Sequence, residues 1–328
     1  MTLSTSDQLH AFVDDLERTL GTDVGYTLDC DSIILCGMGG SAITSDVVAD
    51  LCSPTSRVPI TVVRSPLLPS WVGRRTLAII SSYSGNTAET IEMYRRAVMK
   101  GCTIVVLTSG GILRSLAEGD GTHIMMIPEG LHPRHSIGYM IGYTLAIMNA
   151  AGCPDISDSI RSILPSLRSY RDMLEGGSSL ARELAGKYLG HVPVICSDSR
   201  MKSVVFRWKT QFNENSKYIA FSNHIPEFIY RGMDSWSGYK GGNMVLTVLT
   251  GIGDSASVAD VISDFRDSGT DFMEIRLGGS SELEDMFRAI MLGDYISIYM
   301  ADMRGIDSAE VKPVMLMKER LKGFDPGQ

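Results

Sequence analysis

The sequence predicts an α/β protein of two doubly wound subdomains, each a mainly parallel sheet flanked by helices. Three observations carry this expectation. Short runs rich in Ile, Val and Leu alternate with segments of helical period. Those runs are nearly continuous in apolar residues, as strands are when a parallel sheet is covered on both faces. The chain, at 328 residues with 44% hydrophobic and 21% charged side chains, exceeds one average domain and suits two.

In the first half the predicted strands are residues 33–36, 60–63, 77–81, 103–107 and 123–127, with helices at 41–51, 87–100 and 112–118. Ile43, Val47, Val48 and Leu51 fall on one helical face, and so do Ile91, Tyr94 and Val98, with Gly101 as the stop. A longer helix is predicted to start near Pro133. Its apolar part, 137–151, is too short and too interrupted by Gly138, Gly142 and Asn149 to span a bilayer. Pro154 and the polar run after it place the domain boundary near residue 152, giving subdomains 1–152 and 153–328. In the second half, strands are expected at 192–196, 244–249 and 272–276. Helices are expected at 201–212, 258–267, 283–304 and 309–322.

A formal net charge of −8 without any basic run argues against a nucleic-acid surface, whereas a small anion needs only a local pocket. The six cysteines are scattered without a CxxC pair and read as reduced thiols of a cytoplasmic protein, with no metal site. The N-terminus carries Asp7, Asp14, Asp15 and Glu17 and no apolar core, so no signal peptide is expected.

Two turns carry chemistry. Gly37-Met38-Gly39-Gly40-Ser41 joins a buried strand to a helix, where glycines admit a close ligand and helix N–H groups favour an anion. The pattern is not GxGxxG, and Arg64 and Ser65 stand where a ribose-binding acid would end the second strand, which counts against NAD. Ser82-Tyr83-Ser84-Gly85-Asn86-Thr87 repeats the design with three hydroxyls before a helix. Either turn alone is an ordinary helix cap or loop. Both stand at carboxyl ends of predicted parallel strands, where such sheets bind ligands, and together they predict a phosphate site.

These turns resemble the SIS (sugar isomerase) family. With Pro133-Arg134, Asn213-Glu214-Asn215-Ser216-Lys217 and Lys318 in Met317-Lys318-Glu319-Arg320-Leu321, nearly the whole chain resembles its bifunctional phosphoglucose/phosphomannose isomerase branch. The resemblance implies two SIS subdomains, a homodimer, and interconversion of glucose 6-phosphate or mannose 6-phosphate with fructose 6-phosphate without metal or organic cofactor. It implies phosphate binding by Gly40, Ser41, Ser82, Ser84 and Thr87. It makes Glu214 the proton-transfer base and sets Arg134 and Lys318 beside the substrate. By residue type alone, Glu214, Arg134 and Lys318 read as surface charges. In one place the sequence departs from the family pattern. Where the family has a ring-opening histidine, Pro226-Glu227-Phe228-Ile229-Tyr230-Arg231-Gly232 puts Tyr230, and His224 is the nearest substitute. Two other readings stay open: a non-catalytic sugar-phosphate sensor, and an isomerase of a different phosphosugar.

Overall fold

The run Ile33-Ile34-Leu35-Cys36 is wholly buried on an interior strand of a sheet, which accounts for its lack of alternation. The computed structural model describes residues 4–239, 241–313 and 316–317. Its first elements are α1 (Thr5–His10), α2 (Phe12–Thr19), β1 (Ser32–Gly37), α3 (Gly39–Cys52), β2 (Ile60–Val63) and β3 (Thr76–Ser81). There follow α4 (Ala88–Met99), β4 (Thr103–Thr108), α5 (Gly111–Gly119), β5 (His123–Met126) and α6 (Ile137–Ala150). The five strands are all parallel, in the order β2-β1-β3-β4-β5. The winding reverses between β1 and β3, and the crevice outside their carboxyl ends is the ligand position of such sheets.

Two details differ from the sequence expectation. The buried face of α4 runs through Ile91, Met93, Tyr94 and Ala97, and Val98 lies exposed at its edge. Helix α6 starts at Ile137 rather than near Pro133. The Ser136 hydroxyl bonds back to the Pro133 carbonyl at 2.9 Å, and the His135 and Ser136 amides both bond to the His132 carbonyl, closing a turn that holds Arg134 outside the helix.

The remaining elements are α7 (Ser157–Glu175), α8 (Leu180–Tyr188), β6 (Val192–Asp198), α9 (Lys202–Glu214), β7 (Phe221–Ile225) and α10 (Glu227–Arg231). After them come α11 (Met233–Gly238), β8 (Met244–Thr250), α12 (Ala256–Ser268), β9 (Met273–Arg276) and α13 (Glu282–Met303). Their four strands are again all parallel, in the order β7-β6-β8-β9. One core of this sheet gathers Val194 and Cys196 of β6 with Leu246 and Val248 of β8, around Phe228, Trp236 and Phe265.

The described residues up to Ser162, with those from Val311 onward, form one compact unit, and residues 163–310 form a second. Half of the helix expected at 309–322 lies outside the described residues. Among the described residues no helix is long and apolar enough to cross a membrane.

Candidate functional site

In the first unit, β1 and β3 end side by side, with Gly37 paired to Ser81, so the glycine turn and the serine turn open on the same crevice. Neither following helix is closed by a side-chain cap. Met38 stands at the N-cap of α3 and Thr87 at that of α4, and neither side chain bonds a first-turn amide. Thr87 is of a type that usually caps, but its hydroxyl instead accepts from the Ser82 hydroxyl at 3.3 Å. The arrangement offers hydroxyls and helix N–H groups to an anion without a formal positive charge in the turn itself. Ser41 and Ser82 are buried, Thr87 is half-buried and Ser84 is exposed, its hydroxyl accepting from the Asn86 amide at 3.3 Å.

The shape of the serine turn is set by a third strand end that the sequence reading passed over. The Tyr83 carbonyl accepts from the amide and the hydroxyl of Ser109, at 2.9 and 2.6 Å. The Gly85 carbonyl accepts from the Leu113 amide at 2.9 Å, and the Asn86 side chain from the Ile112 amide at 3.1 Å. Gly85 has φ +64°, and a Cβ there would lie 1.8 Å from the Gly110 carbonyl oxygen. Only glycine fits this crossing. The signal in the sequence was Ser109-Gly110-Gly111, directly after a predicted strand and before a predicted helix.

Gly40 serves another close approach. A Cβ there would meet the Pro133 carbonyl oxygen at 3.0 Å and the Arg134 backbone at 3.2 Å. The 131–136 turn therefore packs against the glycine turn, and Arg134 is buried beside it, 4% exposed, rather than on the surface. Gly40, Ser41, Ser82, Ser84, Thr87 and Arg134 are thus gathered by one unit at one end of its sheet.

In the second unit, Glu214 is the last residue of α9 and is half-buried. Its segment is fixed from several sides. Arg207, Gln211 and Asn215, spaced by four, share the helix face that meets α13. Arg207 forms a two-pronged buried pair with Asp294 at 3.0 and 2.7 Å, Gln211 bonds the same carboxylate at 2.9 Å, and Asn215 donates to Ser297 at 2.8 Å. The Lys217 ammonium donates to the Glu214 carbonyl at 2.6 Å, and Lys217 itself has φ +53°. His224 lies on β7. Its Nδ1 is buried and has no hydrogen-bond partner among the described residues. Tyr230, on α10, is 82% exposed. Lys318 lies outside the described residues.

The second unit treats its strand ends differently. Asp198 closes β6 and accepts from the amides of Arg200 and Ser255, both at 2.9 Å. Asp285 accepts from the amides of Ile252 and Gly279, both at 2.7 Å. Here carboxylates of the chain itself occupy the strand-end N–H groups.

The bacterial phospho-glucose isomerase C-terminal SIS domain matches residues 178–321. A bifunctional phosphoglucose/phosphomannose isomerase of Caldicellulosiruptor bescii is 33% identical over 308 residues, covering 89% of this chain and 90% of that protein. This chain belongs to the bifunctional phosphoglucose/phosphomannose isomerase family. A second member, from Thermoplasma volcanium, is 31% identical over 293 residues, covering 89% and 91% of the two chains. The fold of this family member is shared with the solved structure of tagatose-6-phosphate ketose/aldose isomerase from Escherichia coli. The TM-score is 0.75 at 16% identity, over 94% of this chain and 95% of that one.

Proposed function

We propose that the protein is an aldose–ketose isomerase that interconverts glucose 6-phosphate, mannose 6-phosphate or both with fructose 6-phosphate. The observation that carries this is the 33% identity to a bifunctional isomerase over 89% of the chain, and the uncapped hydroxyl turns agree with it. The phosphate is held by Gly40, Ser41, Ser82, Ser84 and Thr87 through amides, hydroxyls and the positive ends of α3 and α4.

Glu214 is the proposed base. It takes the proton from C2 of the open-chain aldose, and the C–H electrons form the C1–C2 double bond of an enediolate. The C1 carbonyl pair moves onto O1 in that step, and returning the proton to C1 while the 2-hydroxyl proton passes to O1 gives the ketose. The Arg134 guanidinium offsets charge on the enediolate oxygens. His224 is assigned to ring opening and Lys318 to a place beside the substrate. The reading carries with it a cytoplasmic homodimer that needs no metal or organic cofactor.

The test is conversion of fructose 6-phosphate by purified protein, read as glucose and mannose 6-phosphates, alongside Glu214→Gln. The variant keeps the shape and removes the basic carboxylate, so kcat should fall about a hundredfold or more while fructose 6-phosphate binding persists. A wild-type protein that binds the ketose phosphate without turning it over would refute the isomerase reading. A fully active Glu214→Gln would remove only the glutamate.

A further inference from the structure

Tyr83 sits inside the serine turn but its hydroxyl works elsewhere. It donates to the Pro128 carbonyl at 3.0 Å and accepts from the Leu131 amide at 2.7 Å. The side chain is 7% exposed, and burial pushes its phenol up, which keeps the donor proton in place. One phenol thus closes the loop between Pro128 and Leu131, three residues short of Arg134. The loop is held again at His132, whose amide donates to Gln8 at 2.8 Å, and at Pro133, whose carbonyl packs against Gly40. At its other end Tyr83 is fixed by its carbonyl, through the Ser109 amide and hydroxyl. Among these ties, the phenol is the one that runs from the serine turn itself to the arginine loop.

We propose that Tyr83 is a positioning residue that couples the phosphate turn to Arg134, so that the anchored phosphate and the guanidinium keep a fixed separation during the reaction. This rests on the isomerase reading, in which Arg134 faces the enediolate. A phosphate anchor contributes to substrate and transition state alike, whereas a guanidinium held against the developing oxyanion contributes to the transition state alone. Loss of the tie therefore appears in kcat rather than in KM.

Tyr83→Phe removes the hydroxyl and keeps the ring. With fructose 6-phosphate as substrate, kcat should fall on the order of tenfold with KM within about twofold, because the guanidinium that these bonds position acts at the transition state. Combined with Arg134→Ala, or with Arg134→Lys if the alanine variant does not fold, Tyr83→Phe should cost little further, because both act through one group. An unchanged kcat, a loss confined to KM, or losses that multiply in the double variant would each overturn the coupling. A fully active Arg134 single variant would strike Arg134 from the reaction and the coupling with it. That failure belongs to the functional reading and is visible without any change at Tyr83.

Discussion

His224 and Tyr230 divide the ring-opening question between a buried strand atom and an exposed helix. Hexose 6-phosphates are mostly cyclic, so an isomerase must open the ring or wait for it to open. A phenol at neutral pH donates a proton but rarely accepts one, whereas an imidazole does both. Tyr230 is 82% exposed, while the His224 Nδ1 is buried with no hydrogen-bond partner among the described residues. His224→Ala should therefore lose activity on cyclic hexose 6-phosphates and keep it on a substrate that cannot cyclise, while Tyr230→Phe behaves as wild type on both. Steady-state rates on the two substrates decide it, and two fully active variants would remove both residues from ring opening. At this scale the hydroxyls of the serine turn and Gly40 were legible in the sequence because they lie in short, contiguous motifs. Tyr83 was not, because its partners Pro128 and Leu131 are more than forty positions away and neither is of a type that announces a role.

Apolar strands announce themselves, at the edge of a sheet (β2, β5 and β9) as well as inside it, and a polar strand does not. Strands β1, β3 and β4 were readable because a covered parallel strand is apolar throughout. The edge strand β7, reading Phe-Ser-Asn-His-Ile, was not, since Ser222, Asn223 and His224 at its centre are only partly buried. Helices α1, α2, α7 and α8 were also passed over, although Ser4 and Ser179 cap α1 and α8 through side-chain bonds. At the start of α13 the carboxylates of the second unit have a measurable consequence. Burial alone would raise the Glu284 carboxyl. Bonds from the Ser166 hydroxyl, the Ser280 hydroxyl and amide, and the charge of Arg288 outweigh it and bring the group from 4.5 to about 2. A carboxyl depressed on folding stabilises the folded state above its unfolded value, and that contribution is lost as pH falls toward the folded value. Glu284→Gln should be less stable than wild type near pH 6, and the gap should close between about pH 4.5 and 2. Urea midpoints across that range test it, and a gap independent of pH would mean that Glu284 contributes by packing alone.

For the whole molecule, the two units repeat one plan with opposite treatments of the strand ends: hydroxyls and uncapped helices in the first, internal carboxylates in the second. The proposed homodimer makes its own prediction. Sedimentation at micromolar concentration should give about twice the 35.8 kDa chain mass, and a particle of single-chain mass would discard the dimer. The order β2-β1-β3 has a further consequence for how the chain is made. Of these five strands the first to leave the ribosome is an interior one, and both of its neighbours are encoded after it. Ile33-Ile34-Leu35-Cys36 therefore meets solvent, chaperones and other nascent chains with at least one side unpaired until Ser81 has also emerged, a wait of several seconds at about 5–20 residues per second. The second sheet imposes the same delay, since β6 is made before both β7 and β8. Each unit thus passes through a stage of synthesis in which an interior strand is finished and has no neighbouring strand to pair with.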